Sequence, residues 1–238
     1  MNMLVVILDG LSFIISNTFL FLRENIGKLL HLPNSFRGMC YVDTIPYTPH
    51  VLNSIFTLST LRKIEGKLTY TRYVWEIEGV NVRVINLPIS IPPKYHNISL
   101  PIEWYNFYTP PKERFEHWVN IFHRYVLANG NYENLIVWYP IPDQAHHHFF
   151  PAIPDIETFN LMLDWYDKSC KIALDLLDKF KPRRWLIMGD HGLVSDIEEF
   201  KGIPIHHRET LAITNFDKPP KKISNTIFWI HKALTSKP

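Results

Sequence analysis

A chain of 238 residues, 46% apolar and 14% aromatic, is long enough for one sizeable domain with a substantial core, which excludes a disordered or fibrous protein. Lysine and arginine exceed aspartate and glutamate by only two, so composition carries no footprint of a nucleic-acid or membrane-surface binder. Two cysteines, Cys40 and Cys170, make no disulfide framework and read as reduced thiols of a cytoplasmic protein.

The run Met3–Leu8, closed by Asp9-Gly10, predicts a strand buried on both faces. It has no basic flank, so it does not read as an export signal, and no stretch approaches the roughly 20 apolar residues of a membrane span. From Ser12 to Leu32 apolar residues recur at helical spacing, among them Phe19, Leu22, Ile26, Leu29 and Leu30. Pro46-Tyr47-Thr48-Pro49 breaks the chain, and helical periodicity resumes from His50 to Leu61. Residues 69–79 and 80–89 alternate apolar and polar around Glu78-Gly79 and predict two antiparallel strands. Pro88 to Pro111, rich in Pro, Tyr and Asn, reads as part of an insertion on the substrate side.

Residues 113–130 form an amphipathic pattern ending at Gly130. A strand is expected over 135–141. A long helix over 156–180 follows Asp155 as N-cap and stops at Lys181-Pro182. Strands over 183–189 and 211–216 and a helix over 223–236 close the chain. Strands alternating with helices predict a single α/β domain, 1–238, around a largely parallel sheet.

The chemistry-bearing residues sit where these strands end. Asp9 follows the first strand, Asp143 and His147 the second buried one, and Asp190-His191 the third; His206 and His207 precede the last. Each has an ordinary structural reading alone: a turn at Asp9-Gly10, a capping Asp190, an exposed cluster at His146–His148, a helix cap at Thr48. Together they offer about six oxygen and nitrogen ligands in two sets of three, as a pair of divalent metals needs, with a hydroxyl nearby.

The order of these motifs resembles the alkaline phosphatase superfamily, in particular its type I phosphodiesterase/nucleotide pyrophosphatase branch. The matching residues are Leu8-Asp9-Gly10, Pro46-Tyr47-Thr48-Pro49, Pro142-Asp143 with His147, Gly189-Asp190-His191-Gly192, and His206 three residues before Glu209, with His207 as its alternative. The resemblance implies a three-layer α/β/α fold with a mostly parallel central sheet and a small cap at about 65–115. It implies two divalent metal ions, zinc favoured and manganese or iron tolerated, one held by Asp9, Asp190 and His191 and the other by Asp143, His147 and His206. Thr48 is then the nucleophile on a small-molecule phosphoester, a nucleotide among the options.

Two departures stand out. The family's Thr-Gly and Pro-x-x-His-Gly elements are replaced here by Phe56-Thr57-Leu58-Ser59-Thr60-Leu61, and the chain is short for the family. The same motifs also admit a phosphomonoesterase, a phosphoglycerate mutase-like phosphotransferase, or a metal-binding protein that has lost catalysis.

Overall fold

The computed structural model describes residues 1–46, 48–56, 62–64, 67–69, 74, 80–87, 112–149, 155–200 and 203–236. The centre of the fold is the strand β1 (Met3–Leu8), fully buried because every one of its side chains is apolar. It lies between β6 (Asn134–Tyr139) and β7 (Arg184–Met188) and runs parallel to both. The sheet continues through β5 (Val82–Ile85), parallel to β6, on one side. On the other side come β10 (Glu209–Thr214), antiparallel to β7, and then the edge strand β2 (Phe36–Tyr41). The order is β2-β10-β7-β1-β6-β5, with β10 alone reversed. The fold is thus mixed α/β around a six-stranded, mostly parallel sheet, as the sequence leads one to expect.

Alternation along β1 divides the core into two layers. Leu4, Val6 and Leu8 pack with α2 (Glu24–Leu30), α4 (Lys112–Asn129) and α6 (Ile156–Phe180). Met3, Val5 and Ile7 face the opposite layer, with α3 (Thr48–Phe56) and α7 (Thr226–Thr235). In α4 the buried residues Phe115, Val119, Phe122 and Val126 recur every three or four positions, giving a single apolar stripe. A capping box of Asp155 and Thr158 starts α6, and Lys181 ends it in a left-handed conformation just before Pro182. No described helix is long and apolar enough to cross a membrane.

Three local expectations differ from the structure or fall outside its described residues. The periodic stretch from Ser12 to Leu32 is two helices, α1 (Phe13–Thr18) and α2, with Arg23 extended between them. Arg23 turns the chain by bonding Asp164 and Asn160 on α6. Strand β5 pairs in parallel with β6 at the sheet edge; residues 70–79, its expected antiparallel partner, lie outside the described residues except Val74. The third concerns two stretches given no strand above: β2, and a hairpin of β8 (Val194–Phe200) and β9 (Ile203–His206) that delivers His206. At the start of the expected cap, β4 (Lys67–Thr69) pairs with β3 (Arg62–Ile64), which precedes it. Residues 57–61 and 88–111 lie outside the described residues.

Candidate metal centre

Because β1, β6 and β7 are adjacent and parallel, their carboxyl ends deliver the following residues to one edge of the sheet. Asp9, Asp143 and Asp190 are all buried there. Gly10 has φ +76°, and a Cβ on it would lie 2.9 Å from the Cβ of Asp143, so only glycine allows the turns after β1 and β6 to meet. The Asp143 backbone N–H donates to Asp9 O at 2.9 Å. The Gly10 and His191 N–H groups both donate to Asp190 Oδ1, each at 3.1 Å.

Helix α5 (Asp143–Phe149) places His147 one turn after Asp143, with Nε2 3.2 Å from Asp143 Oδ2. From the end of β9, His206 brings its Nε2 to 3.0 Å from Asp143 Oδ1. His191 Nε2 lies 3.1 Å from Asp9 Oδ1 and 3.6 Å from Asp190 Oδ2. The ligand atoms of Asp9, Asp190 and His191 lie within 4.8 Å of one another, and so do those of Asp143, His147 and His206. The rings of His191 and His206 stack at 3.7 Å, so the two triads are neighbours. All six residues singled out from the sequence meet here. Of the two adjacent histidines, His206 joins a triad and His207 is exposed.

The hydrogen-bond pattern suits cations. His191 Nδ1 lies 2.9 Å from Gly192 O and His206 Nδ1 lies 3.2 Å from Pro46 O; a carbonyl only accepts, so Nδ1 carries the proton in each ring. Each Nε2 then turns a bare lone pair toward carboxylates. Asp143 Oδ1, Asp190 Oδ2 and His206 Nε2 are buried without a hydrogen-bond partner, and acceptors facing acceptors in a dry site require a cation or a proton between them. Burial, reinforced by the negative charges of Asp190 and Asp143, pushes the Asp9 carboxyl well above its ordinary value. Burial acts the same way on Asp143, but with a proton on the facing Nε2 atoms, in the place a cation would take, the His206 and His147 rings outweigh it and hold that carboxyl well below the usual range. A donor set of three carboxylates and three imidazoles fits zinc, manganese or iron.

Thr48 opens α3, half-buried, with Oγ1 3.0 Å from His191 Nε2 and 3.4 Å from Asp9 Oδ1. The segment leading to it is stitched to the β9–β10 turn. Arg208 donates to Val42 O and Thr44 O, Val42 N donates to Arg208 O, and His206 N donates to Pro46 O. Thr48 and the exposed His147 form the open side of the site.

Sequence reading gave no role to Tyr166, Ser12, Arg208 or the Pro46 carbonyl. Tyr166, buried on α6, donates its hydroxyl to Gly10 O at 2.8 Å and accepts from Ser12 N at 3.3 Å. No motif spacing announces such a contact between residues 156 positions apart. The histidines left out of the ligand set from sequence take no part in either triad among the described residues. His123 bridges Tyr139 and Asp175, and His117 and His231 face solvent; His96 lies outside the described residues.

No protein-family model and no curated protein matches this sequence. Solved structures do. The C-terminal periplasmic domain of EcEptC from Escherichia coli is similar over 98% of this chain and 81% of its own, at 14% identity and a TM-score of 0.56. Its zinc complex matches over 95% and 74%, at 14% identity and a TM-score of 0.54. A magnesium-bound mutant of alkaline phosphatase from the Antarctic bacterium TAB5 matches over 100% of this chain and 98% of its own, at 10% identity and a TM-score of 0.60. The fold of this chain is similar to those of the EcEptC periplasmic domain and the TAB5 alkaline phosphatase.

Proposed function

We propose that this protein is a metal-dependent hydrolase of phosphoric esters, of the phosphodiesterase/nucleotide pyrophosphatase type, with Thr48 as its nucleophile. The observation that carries the reading is the Thr48 hydroxyl, 3.0 Å from His191 Nε2 at the mouth of two adjoining carboxylate–histidine triads. Asp9, Asp190 and His191 would hold one ion and Asp143, His147 and His206 the other, zinc being favoured by the donor set. When bound, such ions supply Lewis acidity toward the phosphoryl oxygens and make a hydroxyl easier to ionise.

The chain's own residues do the rest. Thr48 Oγ1 attacks phosphorus, the bond to the leaving oxygen breaks, and a phosphothreonine ester forms. Asp9 Oδ1, 3.4 Å away, accepts from the Thr48 hydroxyl and aligns it, and the hydroxyl proton passes to solvent. Water then attacks phosphorus and frees Thr48. The start of the nine-residue helix α3 adds positive potential where the phosphate charge gathers. Asp190 Oδ1, fixed by two backbone N–H groups, keeps the first triad from reorganising as charge shifts.

Charge balance favours a diester. Three carboxylates set against two divalent ions leave a single positive charge, which one phosphodiester anion neutralises; a monoester dianion overshoots it. The groups that act most strongly on Asp9 and Asp143 are carboxylates and histidines, not lysine or arginine. The expected result is faster turnover of bis-p-nitrophenyl phosphate than of p-nitrophenyl phosphate. Thr48→Ala should lower that turnover by about 10³-fold or more while metal content, read by mass spectrometry, stays at the wild-type level. Wild-type phosphodiesterase activity in Thr48→Ala would sink the nucleophile assignment, and a preference for the monoester would point to a phosphatase instead.

A further inference from the structure

One carboxylate outside both triads touches both turns that build the first one and shares a segment with His206 of the second. Glu209, the opening residue of β10, accepts from Ser12 Oγ at 2.5 Å, Phe13 N at 2.7 Å and Ile14 N at 3.2 Å. Those three groups follow Asp9 directly in the chain. On its other side Glu209 packs against Gly192, the residue after Asp190-His191. A Cβ there would lie 2.7 Å from Glu209 O and 2.8 Å from its Oε1. Its own segment carries His206 three positions earlier. The next residue continues the bracket, since Thr210 Oγ1 and Leu211 N both donate to Leu11 O.

Resting on the metal-site reading above, we propose that Glu209 is a positioning residue. It bolts the Asp9–Ile14 turn to the Asp190–Gly192 turn and so sets the spacing of Asp9, Asp190 and His191 without touching metal or substrate. The geometry needs an acceptor for the Phe13 and Ile14 N–H groups and a hydrogen-bond partner of either kind for the Ser12 hydroxyl, rather than a charge. A glutamine can fill the same space, its amide oxygen accepting from Phe13 and Ile14 while its amide nitrogen donates to the Ser12 hydroxyl.

The test compares the wild type with Glu209→Ala, Glu209→Gln and Ser12→Ala. Each is prepared metal-free and titrated with zinc, and amide hydrogen exchange at Phe13 and Ile14 is followed before zinc is added. Glu209→Ala is expected to bind one zinc as the wild type does and the other on the order of tenfold more weakly. Its kcat should fall with KM little changed, and exchange at Phe13 and Ile14 should quicken. Glu209→Gln should recover most of the lost affinity. Ser12→Ala, a milder cut of the same bolt, should shift affinity in the same direction if Glu209→Ala does not fold. Unchanged affinity for both zinc ions in folded Glu209→Ala overturns the proposal, as does a Glu209→Gln as impaired as the alanine variant. If the wild type takes up no zinc, the metal-site reading fails. Exchange at Phe13 and Ile14 that is as fast in the wild type as in Glu209→Ala overturns the bolt itself.

Discussion

The six triad residues gain their chemistry from what lies behind them. His191 and His206 each spend Nδ1 on a backbone carbonyl, which leaves Nε2 bare toward the carboxylates. The carboxylates differ in turn: Asp9 is raised by burial and by Asp190 and Asp143, while Asp143 is held low by the histidines beside it. The folded chain therefore holds a proton on Asp9 more tightly than the unfolded chain does. That increment of stability is present below the ordinary carboxylate value and is lost as pH rises through Asp9's raised one. Asp143 works with the opposite sign, its contribution present above the ordinary value and lost as pH falls through the depressed one. Zinc has to compete with the proton on Asp9, so its apparent affinity should rise with pH above the ordinary carboxylate value, with proton release visible as a buffer-dependent calorimetric enthalpy. An affinity independent of pH there would argue against Asp9 as a ligand. Tyr166 offers a cleaner structural test. Tyr166→Phe strands Gly10 O and Ser12 N in a buried place and should cost about 1–3 kcal/mol in urea unfolding.

At the level of elements, the sequence was informative wherever burial was extreme. β1, β6 and β7 are nearly unbroken apolar runs, and α6 shows both its cap and its stop. Asp155→Ala should lower the urea midpoint by the equivalent of about 0.5–2 kcal/mol, with the slope and the zinc affinities unchanged. Edges were harder to read. β2 has only Cys40 fully buried and carries Gly38, so neither an alternating pattern nor a solid apolar run marks it as a strand. The apolar run over 211–216 marks a strand but carries no information on direction, which is why the reversed β10 emerges only in three dimensions. The same divide runs through the site. Asp143 and His147 were legible because a helical turn brings i and i+4 together, and Gly189–Gly192 because the motif is compact. Tyr166 and the Pro46 carbonyl act across long sequence separations through backbone groups, and Glu209 entered the reading only as a spacing mark after His206.

For the whole molecule, the site concentrates like charge in a dry place, and filling it should be felt globally. A ligand that binds only the folded state adds about 2.7 kcal/mol at one hundred times its dissociation constant. In a domain of 150–250 residues each kcal/mol moves the melting temperature by about 2–4 °C. Zinc should therefore raise the melting temperature by several degrees over the chelator-treated protein. Asp190→Asn should lose a large part of that rise, because it removes a ligand from the first triad. A zinc-induced shift as large in Asp190→Asn as in the wild type would remove this residue from the metal site.

The position of β1 also has a consequence for the living cell. β1 lies inside the sheet yet precedes every other described strand in the chain, and Gly10 must wait for Asp190, 180 residues later, to meet its hydrogen-bond partner. Until β6 and β7 emerge, Met3–Leu8 is an uncharged, β-prone hexapeptide with both edges and both faces open. Such a segment has the signature of self-association, and a nascent chain depends on shielding it for as long as β6 and β7 are still to come.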